Sequence, residues 1–480
     1  MAVSAVRLAS PSCCVMNMEN YYFNVFATSL LVRRPGEPPL DKGFIPWLGH
    51  VLEFRRNTLQ FLERMRKKHG DVFTIQLGGF YVTFLQDPLS FGTFFKESRE
   101  KLDFRKFAQH LVRRVFGYET IEDDHRILQM ANNKHLMGDG LEVMTQAMMA
   151  NLQNLMLHNN TDSCAKESAW TEDGLFMYSY NIVFRAGYLA LYEKDRDESE
   201  ALFYEFRKYD QLFPDLAYGV LPPKKRVDAR RLMEFFWESL SLQKLRTKDS
   251  VSGWIWDIQR GKEEMGLSEE MINRYMFTIL WASQGNTGPS SFWLLFYLMR
   301  YPEALAAVKG EVDTTPVLDS AVEETLRLTA APLLTRAVLQ DITLKMADGR
   351  EYLIRKGDRM AMFPYSSVHI DPDIHPEPRS FKYDRFLNPD GSKKTTFYKA
   401  GKKVKYYTMP WGSGVSKCPG RFFATNELKQ FIFLMVAYYD FELLNPNEEV
   451  PELNQTRWGF GTMHPTRDVR FRYRLRYLIF

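Results

Sequence analysis

Cysteine is scarce in this chain: 480 residues contain four, Cys13, Cys14, Cys164 and Cys418, with no C-x-x-C pair and no zinc-ligand spacing. That usage argues against a disulfide framework or a structural zinc site and fits a reducing compartment. Long apolar runs are also missing. Tyr21 to Val32 is moderately apolar, but shorter than the ~20 residues that a spanning helix needs. Charge of one sign is absent as well: 63 Lys and Arg against 59 Asp and Glu leave a formal +4, too little to argue for a nucleic-acid partner. No low-complexity linker divides the chain. We therefore expect one large domain over residues 35–480, preceded by an atypical leader, residues 1–34, without a clear transmembrane helix. Arg33-Arg34-Pro35-Gly36-Glu37-Pro38-Pro39 is the basic, proline-rich joint between them. Asn159-Asn160-Thr161 and Asn454-Gln455-Thr456 are short patterns taken as chance matches to a glycosylation signal.

Aromatics at 14% and 22 methionines suit a large apolar interior or pocket. Asn57 to His69 carries an amphipathic helical period. Val72–Leu77 and Tyr81–Leu85 read as a hairpin about Gly78-Gly79. Helical periodicity dominates to about residue 330, and short strands return near Ile342–Leu344, Tyr352–Ile354 and Arg470–Tyr473. The fold class is mainly α with a minor β portion. Phe213 to Pro223 reads as an apolar loop followed by Lys224-Lys225-Arg226, a pattern that suits either a membrane surface or an ordinary interhelical turn.

Three motifs carry chemistry. Trp411-Gly412-Ser413-Gly414-Val415-Ser416-Lys417-Cys418-Pro419-Gly420-Arg421 offers one sulfur from a tight glycine-rich loop just before a helix. The helix's positive N-terminal end favours a thiolate, the form that binds haem iron. Glu324-Thr325-Leu326-Arg327 places a carboxylate and a guanidinium on one helix face, with Arg385 as the natural third partner. The helical run Glu269 to Met299 is interrupted by Gly285-Asn286-Thr287-Gly288-Pro289. Beside a cofactor, the opened ladder with the Asn286 and Thr287 side chains could hold water for oxygen activation.

In this order and spacing the motifs resemble the cytochrome P-450 superfamily, from about Pro35 to the C-terminus. The resemblance implies the cytochrome P-450 fold, with haem b between a central helix and the cysteine loop and Cys418 as axial ligand to the iron. It implies Glu324, Arg327 and Arg385 as a structural triad behind the haem, Trp411 packed on the proximal side and Arg336 paired with a haem propionate. There are departures: Ser416 stands where many relatives carry arginine, and no W-x-x-x-R occurs between Asp124 and Lys134, leaving His125, Lys134 or His135 as possible substitutes. The central-helix stretch around Asn286-Thr287 looks like the branch of sterol hydroxylases and prostacyclin synthase.

The implied activity is therefore steroid hydroxylation, best matched by 12-alpha hydroxylation of 7α-hydroxycholest-4-en-3-one in bile acid (cholic acid) synthesis. It would use O2 and NADPH electrons delivered by NADPH-cytochrome P-450 reductase, at the cytoplasmic face of the endoplasmic reticulum membrane. Trp281, one helical turn before Gly285, is expected to roof the substrate pocket. Lys402, Lys403, Lys405, Lys417 and Arg421 form a basic cluster suited to an acidic reductase. A prostacyclin synthase-like isomerase and a cholesterol 7-alpha-hydroxylase-like enzyme remain open. So does a haem-free remnant, because the segment between Pro302 and the E-x-x-R helix is short for the family.

Overall fold

The structure, a computed structural model, describes residues 33–157, 169–192, 195–311 and 314–476. Cys13, Cys14, Cys164, the run Tyr21–Val32 and the Asn159 pattern lie outside them. The chain forms two compact units. One comprises residues up to Asp103 with Thr335–Met362; the other comprises Phe104–Leu334 with everything from Phe363 on.

In the first unit the strands Val72–Leu77 and Phe80–Leu85 pair antiparallel about Gly78-Gly79, as the sequence predicts. Both glycines have positive φ, +56° and +82°, the geometry that matches a tight turn to strand twist. Leu40–Asp41 adds in parallel on one side and Arg359–Met362 in parallel on the other. Leu334–Val338 and Leu102–Asp103 complete the sheet. Helix Thr58–His69 covers the sheet with Phe61, Leu62 and Met65, and the rings of Phe73 and Phe84 stack at 5.8 Å beneath it.

The second unit is helical: α1 Phe104–Phe116, α2 Asp124–His135, α3 Gly138–Leu157, α4 Leu175–Leu191, α5 Arg196–Tyr218, α6 Pro223–Ser239, α7 Gly253–Glu264, α8 Glu269–Gln284, α9 Thr287–Arg300, α10 Pro302–Lys309, α11 Pro316–Thr329 and α12 Arg421–Tyr438. A small sheet, Tyr439–Leu443, Arg470–Leu475 and Thr171–Gly174, closes one end. The centre of the core is α9, buried along almost its whole length, with Trp293 donating its indole N–H to Met463 O at 2.7 Å. Gly288 is required there, because a Cβ would stand 1.9 Å from the Tyr180 ring of α4.

The expected apolar loop at Phe213 is instead the last two turns of α5, with Pro214 inside the helix. Phe213 stacks on Trp281 with ring centroids 4.3 Å apart and meets Phe460 edge-on at 5.3 Å. Packing of this kind outweighs the missing proline N–H. Gly219, Val220, Pro222 and Pro223 are exposed while Phe213, Pro214, Ala217 and Leu221 are buried, so the exposed apolar stretch is confined to the turn after α5 and does not begin at Phe213. Among the described residues no helix is long and apolar enough to cross a membrane.

Candidate active site

The cysteine loop turns at Gly412 and Gly414, with φ of +67° and +65°. Its ends are tied by Cys418 N–H donating to Trp411 O at 2.9 Å, and Arg421 Nη1 donates to Cys418 O at 2.9 Å. Burial raises the pKa of the thiol. The backbone N–H groups of Gly420 and Arg421 at the start of α12, which donate to the sulfur, pull the other way together with the Arg421 charge. A desolvated sulfur that already receives two N–H donors fits a thiolate bound to a cation, so the loop suits haem iron. Trp411 itself is half-buried against the core of this unit.

The structure brings the E-x-x-R pair and Arg385 together. Glu324 and Arg327 on α11 are fully buried, with Arg327 Nε to Oε2 at 2.7 Å and Nη2 to Oε1 at 2.8 Å. Arg385 Nε donates to both Glu324 oxygens at 2.9 Å, and its other nitrogens to Pro376 O, Glu377 O and Ser380 O. Arg327 Nη1 reaches Pro378 O at 2.7 Å and also His369 O. A buried ion pair persists only when the remaining donors are satisfied, and here they are.

His369 and His375 escaped the sequence reading, yet they carry the triad's order to the cysteine loop. His369 Nε2 accepts the Met409 N–H at 3.0 Å, which puts the ring proton on Nδ1, and His375 Nε2 donates to Tyr407 O at 2.7 Å. Burial and the Arg327 charge push their pKa values down to about 3 and about 2, so both stay neutral. Met409 lies two residues before Trp411. The triad therefore holds the segment from which the cysteine loop departs.

The short connection before α11 is closed by a helix cap: Glu311 accepts from Val317 N at 2.6 Å and Leu318 N at 3.1 Å. A carboxylate at a helix N-terminus satisfies orphan donors and complements the helix dipole. The shortened segment thus leaves the E-x-x-R helix seated.

The central helix breaks where expected, α8 ending at Gln284 and α9 starting at Thr287. Asn286 Oδ1 accepts the Thr462 N–H at 2.9 Å, an approach possible because residue 461 is glycine: a Cβ there would stand 2.1 Å from that oxygen. Thr287 is buried. Its hydroxyl turns toward Ser283 O, at 3.5 Å, and toward the side chain of Glu427 on α12. Glu427, also missed from sequence, has burial pushing its pKa up to about 8, with Thr287 pulling it back. Trp281 is clamped by Phe213 and Phe116, and its buried indole Nε1 has no partner.

Arg336 belongs to the first unit, where it is buried, lies over the Phe94 ring at 5.3 Å and donates from Nη1 to Thr335 O. Burial lowers its pKa to about 10, partly offset by Asp103. Of the substitutes considered for the absent W-x-x-x-R, Lys134 Nζ and His135 Nε2 both bind Asp257 Oδ2 at 2.7 Å, and His125 contacts Arg105. Asp257 therefore already engages Lys134 and His135, which were suggested as propionate partners.

The sequence profile described as Cytochrome P450 matches residues 38–471. The chain is 52% identical over 472 residues to the rabbit (Oryctolagus cuniculus) 7-alpha-hydroxycholest-4-en-3-one 12-alpha-hydroxylase, covering 92% of this chain and 94% of that protein. It is 51% identical, with the same coverage, to the pig (Sus scrofa) 5-beta-cholestane-3-alpha,7-alpha-diol 12-alpha-hydroxylase. Against human (Homo sapiens) prostacyclin synthase the identity is 44%, over 92% of this chain and 95% of that one. With the cysteine loop and the saturated triad in place, the chain belongs to the cytochrome P450 family of haem-thiolate monooxygenases.

Proposed function

We propose that this enzyme hydroxylates a steroid at the 12-alpha position, with 7α-hydroxycholest-4-en-3-one as substrate, within bile acid synthesis. The observation that carries this reading is the 52% and 51% identity to two 12-alpha-hydroxylases, against 44% to the isomerase. Overall, one C–H bond, O2, NADPH and a proton become one alcohol, water and NADP⁺, with electrons arriving through NADPH-cytochrome P-450 reductase.

Cys418 Sγ would hold the haem, which would supply the activation of O2 and the abstraction of hydrogen. The chain positions the substrate and manages water and protons. Trp281, held flat by Phe213, roofs the pocket, and its unpartnered Nε1–H is a donor for a steroid oxygen. Asn286, fixed by Thr462 through Oδ1, keeps its Nδ2 amide for ordering water, and Thr287 acts behind it through Glu427.

Exposed Lys402, Lys403, Lys405 and Lys417, with half-buried Arg421, support docking of an acidic reductase. Exposed Phe44, Ile45, Trp47 and Leu52 support contact with the cytoplasmic face of the endoplasmic reticulum membrane. Reconstitution with reductase, NADPH and 7α-hydroxycholest-4-en-3-one tests the reading: the expected product is the 12-alpha alcohol, with NADPH consumed. Conversion of a prostaglandin endoperoxide without NADPH would instead establish the isomerase, the second reading, which the 44% identity keeps in view.

A further inference from the structure

On α5 and in the segment Asn454–Pro465 the structure builds a polar cavity of about 200 Å³ that no step above uses. Its floor is Asp210, fully buried. Arg207 Nη1 donates to Asp210 Oδ2 at 2.9 Å, and Arg457 donates from Nη2 to Oδ1 at 3.1 Å and from Nη1 to the Asp210 backbone oxygen at 3.2 Å. Two guanidiniums against one carboxylate leave an excess positive charge. His464 adds none, because burial and the two arginines depress its pKa far below the usual imidazole value. Arg207 Nε, Arg457 Nε and His464 Nε2 are buried without a hydrogen-bond partner in the protein, His464 Nε2 standing 3.6 Å from Asp210 Oδ2. Buried donors left open in this way are costly unless something fills them. The walls beside them are apolar: Phe176, Pro214 and Pro465.

We propose that this cavity binds the carboxylate of a small monoanion with an apolar stem, the head group received by Arg207, Arg457 and His464 and the stem lying against Phe176 and Pro214. One negative charge matches the one uncompensated positive charge, and a planar carboxylate suits guanidinium donors. The site also touches the pocket roof through the chain. Phe213 follows Asp210 by one helical turn, Phe460 follows Arg457 by three residues, and Phe460 meets edge-on the Phe213 ring that stacks on Trp281. Occupancy of the cavity is thereby read at the roof. The proposal stands on these residues whether or not the steroid reading holds.

The test uses the haem-loaded enzyme and sodium butyrate, titrated calorimetrically against sodium chloride at equal ionic strength. Saturable butyrate binding is expected, weakened at least tenfold in Arg457→Gln, and accompanied by a change in Trp281-sensitive fluorescence that Trp281→Phe removes. If Arg457→Gln does not accumulate as haem-loaded protein, Phe176→Trp, which fills the cavity and keeps every charge, must weaken butyrate equally. No butyrate heat above chloride, undiminished binding in the variant that folds, or equal affinity for inorganic phosphate would each overturn the proposal. Competition by cholate identifies the acid tail of a steroid as the source, and simultaneous binding of cholate and butyrate identifies a free carboxylate; either supports the site.

Discussion

Two buried carboxylates in the helical unit each face two arginines, and they are finished differently. Around Glu324, the guanidinium donors of Arg327 and Arg385 end on a carboxylate or a backbone carbonyl. Around Asp210, both arginine Nε groups and His464 Nε2 are left without hydrogen-bond partners, beside a cavity. The first arrangement is closed and can only hold structure. The second is open on one side and can receive a ligand. Identical residue types therefore serve opposite ends, and the deciding variable is how many donors the surrounding backbone absorbs.

The contrast can be broken most forcefully at Glu324. Glu324→Gln leaves two buried guanidiniums facing a neutral amide, and should cost about 3–5 kcal/mol. Urea unfolding and the loss of the thiolate signature in a carbon monoxide difference spectrum measure it, and added butyrate should restore nothing. Asp210→Asn should cost less, about 2–3 kcal/mol, since Arg207 and Arg457 border a cavity rather than packed protein. Here millimolar butyrate should recover part of the loss in thermal unfolding; absence of recovery would erase the distinction between the two clusters.

Glu427 gives the next effect, through pH. Its folded pKa, about 8, lies above the unfolded value, so the protein prefers its neutral acid. That stabilisation is complete below the unfolded pKa and is lost as pH rises through about 8. From about pH 6 to about pH 8 the native enzyme should lose about 2 kcal/mol more than Glu427→Gln, whose side chain stays neutral. Parallel unfolding curves for the two proteins would refute the buried acid. The smallest effect is expected at Trp281. Trp281→Phe removes the indole N–H but keeps the stack with Phe213, so stability should change by less than about 1 kcal/mol. The ratio of 12-alpha alcohol to other products should shift several-fold, read by mass spectrometry of the steroid products.

Much of the site was legible in the sequence because its chemistry is local. The glycines before Cys418 and the helix after it lie within a few residues, and Glu324 and Arg327 are one helical turn apart. The hairpin at Gly78-Gly79 has the same character, since glycine at positive φ announces a backbone conformation by itself. His369 and His375 were not legible, because their work is hydrogen bonding to Met409 N and Tyr407 O, tens of residues away. Phe213 misled for a related reason: Pro214 argues against a helix locally, and only the stack on Trp281 reverses that preference.

The sequence by itself determined the family and the helix-rich architecture, through motifs whose meaning is carried by neighbouring residues. The tertiary structure alone decided that Thr287 turns to Glu427, that Asp257 occupies Lys134 and His135, and that Asp210 meets Arg457 across 247 positions of chain. The physical reason is that burial and charge compensation depend on which segments the fold brings together. A buried acid, a neutral histidine or an open guanidinium is a property of that enclosure, and no spacing along the chain encodes it.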